Sequence, residues 1–174
     1  MLLMSVDTQS LSLLIFPSPI LLQRASEVDA SDRNVKEVAR RMIEMMFEQN
    51  GVGLAAPQVG LSWRLFVTRN PEDKESGVVW MNPTLKVTST DDDIEEEGCL
   101  SLPEIRGDVR RPTGIQISGF DVNGDPAQES SDEFIARVWQ HENDHLDGIL
   151  IINKMSSMDR LINRRLIRNL ERAV

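Results

Sequence analysis

Histidine and cysteine are scarce in this chain of 174 residues, which contains two histidines and one cysteine. A single cysteine excludes a disulfide partner within the chain, so we predict a reducing, cytoplasmic compartment in which Cys99 is available as a thiolate. Long apolar runs are also missing. The run at residues 13–16 stops at Pro17, and no Lys or Arg precedes Arg24, so neither a membrane helix nor a signal peptide is expected.

Positive charge is in the minority, because 19 Lys and Arg residues face 28 Asp and Glu residues, a net charge of −9. This balance argues against a protein whose whole surface coats nucleic acid. Residues 154–174 are the exception: they hold six basic and two acidic residues, a local +4, so the remainder carries −13. The length predicts a single domain over residues 1–174, with a continuous core, and we expect a monomer.

Both histidines lie in one short motif, with Glu142 directly after His141 and three residues before His145. On an α-helix, residues four apart share a face, so the two imidazoles can bind one metal ion. Glu142 is displaced by about 100° around the axis, where it can reach a water on the ion. The pattern therefore predicts a metal site with Glu142 as the base.

A catalytic metal site of this kind needs a third protein ligand. The candidates are Cys99 or one of the 28 acidic residues. A buried cysteine is more often a small apolar residue. Because the chain offers no other soft ligand, Cys99 in the segment EGCLS is the best choice, and it would leave one coordination position open.

Glycine and small apolar residues dominate residues 51–60, directly after a predicted helix. This segment will not hold a helix, and its glycines allow a close approach of the backbone to a ligand. It is not a phosphate loop, because no Lys-Ser/Thr follows the glycines. Gln58 either caps the local backbone or points its amide into a site, and the sequence leaves both open.

The remaining elements follow from periodicity and turn residues. In the first half we predict a strand at 12–16, a helix from Ser31 or Asp32 to the stop at Asn50-Gly51, strands at 63–68, 78–81 and 85–88, and a solvated acidic loop at 91–93. The acidic run lacks the spacing of a calcium loop.

In the second half we predict a strand at 113–120, a hairpin turn at 122–125, a strand at 149–152 and a helix from about Met158. Ser130 and Glu133 would form a capping box for the metal helix, and Gly148 would stop it. Two inward stripes are expected. They consist of Phe134, Val138, His141 and His145 on the metal helix, and of Leu161, Ile162, Leu166 and Leu170 on the last helix, capped by Ser156 or Ser157.

Three segments, GVGLAAPQ, EGCLS and QHENDHLDG, resemble in the same order the signature motifs of peptide deformylases, and the last helix resembles the extension of the bacterial class. The resemblance implies an α+β fold in which antiparallel β-sheets surround a central metal-binding helix, with an N-terminal helix and a C-terminal helix. It also implies a hydrolase that removes the formyl group from the formyl-methionine of nascent peptides.

Carried over to this chain, the resemblance implies that Cys99, His141 and His145 bind the metal and that Glu142 is general base and acid. Gln58 and the backbone N–H of Leu100 would bind the oxyanion. Ferrous iron is the expected native metal, and zinc, nickel or cobalt are its substitutes. The predicted substrate-binding residues are Gly51, Val52, Gly53, Glu95, Glu97, Gly98, Arg106, Phe134, Arg137 and Val138.

Two positions depart from the family, which usually has apolar residues in the methionine pocket where this chain has Glu95 and Arg137. We predict that the two pair across the pocket wall, because an unpaired buried charge is costly, while their aliphatic stems contact the methionine side chain. The alternative is that both side chains turn outward and bind water. The basic terminal helix resembles the part of bacterial deformylases that contacts the ribosome, and local positive charge suits phosphate. The alternative is that these arginines only solvate the outer face of the helix.

Two other functions share part of this pattern. A zincin-type endopeptidase also carries H-E-x-x-H, but it generally takes its third ligand, a His or Glu, from downstream, and no histidine follows His145. A non-catalytic binding protein could keep the fold without the reaction. The presence of every expected catalytic residue counts against it.

Overall fold

The computed structural model describes residues 5–173, so residues 1–4 and 174 of the predicted domain lie outside the described part. Two antiparallel sheets form the β part of the molecule. The larger sheet has the strand order β1-β2-β3-β6-β7, from Gly53–Ala55 (β1), Leu65–Arg69 (β2), Gly77–Val87 (β3), Ile115–Phe120 (β6) and Pro126–Ser131 (β7). The smaller sheet pairs Asp92–Cys99 (β4) with Leu102–Pro112 (β5).

Five α-helices accompany the sheets within residues 5–173: Arg33–Glu48 (α1), Phe134–Leu146 (α2), Ile151–Lys154 (α3), Ser157–Ile162 (α4) and Arg164–Arg172 (α5). Short 3-10 helices occupy Thr8–Ser10, Pro19–Leu22 and Ala56–Val59. In this part of the chain no helix is both long and apolar enough to cross a bilayer. The predicted α+β fold, with a helix near each end and the metal helix between the sheets, is confirmed.

Strand β2 separates two apolar clusters because its side chains alternate between the two faces of the sheet. Leu65 and Val67 face α1, in a cluster that also holds Val38 and Met42. Phe66 faces the opposite way, in a cluster with Ala55, Trp80, Ala136, Trp139 and Leu146. The helix α2 is thereby held directly against the strands that adjoin the glycine-rich segment.

The N-terminal helix agrees with its prediction at both ends. Asp32 is the N-cap, and its carboxylate accepts a hydrogen bond from the backbone N–H of Asn34 at 2.7 Å. The helix ends at Glu48, and Asn50 adopts a positive φ of 54° in the turn that follows. This turn delivers the chain into β1 with Gly53 facing α2.

Two predictions in the first 60 residues were wrong. Residues 12–16 form no strand: Leu14 donates to Gln58 O and Phe16 to Ser101 O, so the segment binds two different partners and joins no ladder. Residues 51–60 do contain helical backbone, since Ala56–Val59 form one 3-10 turn with Pro57 in its first turn. That turn holds Gln58 in a buried position.

The strand predictions were partly right. The strands expected at 63–68 and 113–120 appear as β2 and β6, and residues 122–125 connect the antiparallel pair β6 and β7. The segments at 78–81 and 85–88 belong to one strand, β3, with a register shift between Met81 and Thr84. The acidic loop at 91–93 was wrong, because Asp92 opens β4. No strand was predicted for β1, β4 or β5, and β7 was implied only by the hairpin turn at 122–125.

The start and end of α2 differ in detail from the prediction. Ser130 lies in β7, and Glu133 is the N-cap without a side-chain capping bond, so the proposed capping box is wrong. Ser131 Oγ instead accepts a hydrogen bond from Glu133 N at 3.1 Å. At the other end, Gly148 has a φ of 71° and terminates the helix as expected.

The C-terminal region was predicted to contain a strand followed by one long helix, but it contains three short helices, α3, α4 and α5. Residues 149–152 were predicted as a strand but lead into α3. The last helix breaks at Asn163, whose side-chain amide donates to Arg106 O at 2.7 Å. Leu166 and Leu170 pack inward as expected, whereas Leu161 and Ile162 are 59% and 70% exposed, so their inward orientation was wrong.

Candidate metal centre and its cavity

Cys99, at the end of β4, meets the two histidines of α2. Cys99 Sγ lies 3.3 Å from His145 Nε2, and one ligand atom from each of Cys99, His141 and His145 falls within 4.8 Å of the others. Ligand atoms around one tetrahedral ion, with bonds of about 2.0–2.3 Å, lie roughly 3.5 Å apart. One thiolate and two imidazoles in this arrangement therefore fit a single transition-metal ion.

Glu97 orients the first histidine from behind. Its Oε2 lies 3.0 Å from His141 Nδ1, so the carboxylate fixes the proton on Nδ1 and leaves the other ring nitrogen for an ion. Burial lowers the pKa of His141, but Cys99 and Glu97 outweigh it and raise that pKa well above its ordinary value. A carboxylate behind a ligand histidine also strengthens the histidine as a donor.

Two arginines saturate the same carboxylate. Arg111 donates to Glu97 from Nε at 2.5 Å and from Nη2 at 2.9 Å, and Arg137 Nη1 donates to Oε1 at 2.8 Å. Burial would raise the pKa of Glu97, but the hydrogen bonds from Arg111 and His141 hold it well below its usual range. Glu97 is therefore a buried anion with every lone pair engaged.

The charge network continues outward from the two arginines. Arg111 Nη1 lies 2.9 Å from Asp144 Oδ2, and Asp144 Oδ1 lies 2.9 Å from Lys154. Arg137 also donates to Val109 O at 2.9 Å and to the carboxylate of Asp93. Each buried guanidinium thus has a carboxylate partner, which offsets the cost of its burial.

The predicted pair of Glu95 and Arg137 is present, with Arg137 Nε 3.4 Å from Glu95 Oε2. It is the longest of the contacts that Arg137 makes with carboxylates, and the Glu95 side chain is 52% exposed. Asp93, Glu95 and Glu97 alternate along β4, so their carboxylates share the face that meets Arg137. The two closer partners of Arg137, Asp93 and Glu97, were not predicted from the sequence.

Glu142 faces the larger sheet, where Gly53 leaves room for it. A Cβ atom at position 53 would overlap the Glu142 carboxyl group, with the carboxyl carbon only 2.7 Å away. Glu142 is 3% exposed, and its burial raises the pKa to about 7. Its Oε2 has no hydrogen-bond partner among the residues described. A carboxyl group with this pKa can both take and return a proton near neutrality.

Gln58 fulfils both of the roles that the sequence left open. Its Oε1 accepts a hydrogen bond from Ala55 N at 2.9 Å, which caps the local backbone. Its Nε2 points the other way, 3.2 Å from Ser101 Oγ and 3.7 Å from Cys99 Sγ. Leu100 follows Cys99 in the turn between β4 and β5, so its backbone lies beside the same thiol.

A cavity of about 420 Å³ opens in front of these groups. Most of the predicted site residues line it: Gly51, Val52, Gly53, Gln58, Glu97, Gly98, Cys99, Leu100, Arg106, Phe134, Arg137, Val138, His141 and Glu142. Glu95 and His145 are outside that lining. Phe134 is 61% exposed, so it stands at the rim and does not continue the inward stripe predicted for α2.

Several residues of the site were missed by sequence reasoning. The cavity is also lined by Asn50, Glu96, Leu102, Glu104 and Ile105. Arg111 was missed as well, although Ile105, Val109 and Arg111 all fall on the buried side of β5. This alternation was the available signal, because a strand through 102–112 puts every second residue on one face.

The family model described as polypeptide deformylase matches residues 10–161 of this chain. A peptide deformylase of Thermotoga maritima is 40% identical over 161 residues, which cover 92% of this chain and 96% of that protein. A peptide deformylase of Synechocystis is 36% identical over 154 residues, 87% of this chain and 82% of that protein.

Solved structures agree with these sequence matches. A crystal structure of peptide deformylase from Plasmodium falciparum superposes with a TM-score of 0.87 at 37% identity, covering 93% of this chain and 96% of that chain. The match extends over both sheets and the helix between them, since nearly all of each chain is aligned.

Proposed function

This chain belongs to the polypeptide deformylase family, and we propose that Cys99, His141 and His145 hold the metal ion on which the activity depends. The enzyme is a hydrolase that removes the N-formyl group from the formyl-methionine of new polypeptides and releases formate. The observation that carries the ligand assignment is the convergence of one Sγ and two imidazole nitrogens within 4.8 Å.

We propose Fe²⁺ as the native ion, with Zn²⁺, Ni²⁺ or Co²⁺ as substitutes. The mixed thiolate and imidazole donor set suits these ions, and three protein ligands leave a coordination position for substrate chemistry. When bound, the ion acts as a Lewis acid and makes water nucleophilic near neutral pH.

Glu142 is assigned as the proton carrier of the reaction. It takes a proton from the attacking water and later delivers it to the amine that leaves as the new N-terminus. A pKa of about 7, raised by burial, suits both directions of transfer. Water is largely excluded from this carboxylate, which is 3% exposed.

Gln58 and Leu100 are assigned to the negative charge that develops on the formyl oxygen. The amide of Gln58 is held by its bond from Ala55 N, so Nε2 is presented toward the thiol of Cys99 at 3.7 Å without reorganisation. The backbone N–H of Leu100 adds a second donor. One donor of this kind is worth roughly 3 to 4 kcal/mol to the transition state.

The cavity in front of these groups is assigned to the formyl-methionine end of the substrate. Gly51, Val52, Gly53 and Gly98 offer backbone close to the reacting centre, and Phe134 and Val138 offer apolar surface. Arg106 stands at the rim, and Glu97 and Arg137 make one wall polar, while Glu95 contacts Arg137 from outside the cavity lining. Glu97 acts from behind His141, because both of its oxygens are already bonded.

The decisive experiment is an assay of anaerobically prepared protein on formyl-Met-Ala-Ser and on a blocked internal peptide. Release of formate from the first substrate, with no cleavage of the second, is the expected result. Cleavage of the internal peptide would instead favour the zincin-type endopeptidase, and binding without turnover would favour the non-catalytic protein.

We further propose that the enzyme is a monomer with a single domain and that it acts in the cytoplasm. There, α5 would contact the ribosome. Arg164, Arg165, Arg168 and Arg172 are exposed and form no ion pair with any described residue. Unpaired arginines on an acidic protein suit the phosphate backbone of RNA. Co-sedimentation with ribosomes at low and high salt tests this contact: equal binding after neutralising Arg164, Arg165 and Arg168 would overturn it.

A further inference from the structure

Thr68 is a buried polar residue that has no role in the proposed reaction. Its side chain is 1% exposed, and its hydroxyl has no hydrogen-bond partner within residues 5–173. The preceding residues of β2 are Leu65, Phe66 and Val67, all apolar and fully buried. A hydroxyl left unpaired in such surroundings is destabilising, so its presence calls for a partner.

The sheet register brings Thr68 next to Glu142. Thr68 is directly opposite Gly53 in the antiparallel pair of β1 and β2. Residues directly opposite each other project from the same face, with their Cβ atoms about 4.5–5.5 Å apart. The space that a Cβ at Gly53 would need is filled by the carboxyl group of Glu142. Thr68 and the carboxyl group of Glu142 therefore lie on the same face of the sheet, both next to Gly53.

The packing of β2 supports this orientation independently. Phe66, two residues before Thr68, lies in the cluster that contains Trp139 and Leu146 of α2. Val67 lies in the other cluster, against α1. Because strand side chains alternate, Thr68 faces α2 as Phe66 does.

The two groups are chemically complementary. Oε2 of Glu142 lacks a partner just as the Thr68 hydroxyl does, and a hydroxyl can donate where a carboxylate can only accept. No direct hydrogen bond joins them in the described part of the chain, so the link requires a bridging molecule. Buried waters typically join two to four polar groups that would otherwise be unpaired. His145 Nδ1, on the same helix, is a third such atom.

We propose that Thr68 is a positioning residue for Glu142, holding its buried oxygen Oε2 through one water. The inference rests on the proposed function, in which Glu142 carries the proton. Holding one oxygen from the sheet side fixes the plane of the carboxylate and therefore the direction in which it transfers a proton. Thr68 should affect the chemical step and leave substrate binding unchanged.

Two substitutions, Thr68→Val and Thr68→Ser, distinguish the effect of the hydroxyl from the effect of the side-chain shape. Thr68→Val deletes the hydroxyl at nearly constant volume, and we expect kcat to fall roughly tenfold with KM unchanged, as for loss of one charge-assisted hydrogen bond. Thr68→Ser keeps the hydroxyl and should retain kcat within about twofold. Thr84→Val, at an exposed position of the neighbouring strand β3, is the matched control and should leave kcat unchanged.

Metal content and melting temperature of each variant give readouts besides activity. Full metal content and an unchanged or higher Tm for Thr68→Val, together with the lower kcat, would support a positioning role. Wild-type kcat in Thr68→Val, or equal losses in the Val and Ser variants, would overturn it. A high-resolution crystal structure should show a water bonded to both Thr68 Oγ1 and Glu142 Oε2, and the lack of such a water would also overturn the proposal.

Combination with Glu142→Gln distinguishes this inference from the proposed function. If Thr68 acts through Glu142, Thr68→Val should cause no further loss in the Glu142→Gln background. Near-wild-type turnover of Glu142→Gln alone would refute the assignment of the base. Loss of turnover in Glu142→Gln with no effect of Thr68→Val would refute only the role of Thr68.

Discussion

Glu97 and Glu142 are both buried beside the candidate metal ligands, but they face different sheets and have opposite electrostatics. Glu97, on the small sheet, is bonded to Arg111, Arg137 and His141, and its pKa lies well below the usual range. Glu142, against the large sheet, has an unpartnered oxygen, and burial raises its pKa to about 7. Burial acts in the same direction on both pKa values, so the difference between them comes from the partners of Glu97, and it supports Glu142 as the proposed proton carrier.

The largest effect should come from Glu142→Gln. The substitution removes the proposed proton carrier but spares all three proposed ligands, so turnover should fall roughly 10³-fold while metal content stays near that of the wild type. Turnover and metal are measured on the same sample. The control is Glu133→Gln, at an exposed position at the start of the same helix, and it should retain full activity. Wild-type turnover of a metal-loaded Glu142→Gln variant would contradict the proposed role of Glu142.

Glu97→Gln should act mainly on stability. It leaves two buried arginines without their shared carboxylate, and breaking such a buried network costs roughly 3 to 5 kcal/mol. Urea unfolding of the metal-free protein measures this loss. The neighbouring Glu96→Gln is the control: its pair with Arg106, at 3.4 Å, is exposed, so a change below about 1 kcal/mol is expected. Equal losses of stability in Glu97→Gln and Glu96→Gln would contradict the stabilising role of the buried carboxylate of Glu97.

The raised pKa of Glu142 predicts a pH dependence of stability in the metal-free protein. A carboxyl group with a pKa near 4.5 in the unfolded chain and about 7 in the fold binds its proton more tightly when folded. The contribution of Glu142 to the free energy of unfolding is therefore fully present below pH 4.5. It is lost as the pH rises through 7, and the loss amounts to roughly 3 kcal/mol. Unfolding free energies of wild type and Glu142→Gln, compared from pH 4.5 to 8, isolate this contribution. Parallel curves would contradict it.

The smallest effect is expected at the pair of Glu95 and Arg137. Glu95 is half exposed and is the most distant carboxylate partner of Arg137, so a double-mutant cycle with Glu95→Ile and Arg137→Ile should show coupling of only about 0.5 to 1 kcal/mol in kcat/KM. Formyl-Met and formyl-norleucine peptides serve as substrates. Coupling of several kcal/mol would show that Glu95, and not Glu97, dominates the environment of Arg137.

Local sequence patterns predicted those elements whose own residues include an amphipathic stripe, a cap or a turn motif. The amphipathic stripe and Asp32 gave α1, and the turn at Gly124 gave the hairpin of β6 and β7. Residues 91–93 were wrongly predicted as a loop because their charged side chains lie at the exposed start of a strand, and no element was predicted for residues 102–112, where charged residues occupy most of the exposed strand positions. Residues 149–152 failed because a short apolar run does not distinguish a strand from a helical turn.

The sequence by itself determined the spacing of His141, Glu142 and His145 on one helix, and it singled out Cys99, the only thiol, as the best candidate for the third ligand. The first result follows from the geometry of a helical turn and the second from the composition of the chain, and both can be read directly from the sequence. Only the tertiary structure decided that Arg111 and Arg137 converge on Glu97 and that Thr68 and Glu142 both lie next to Gly53 on one face of the sheet. These contacts join segments many residues apart, and they depend on strand register and helix packing, which the local periodicity of a sequence does not encode.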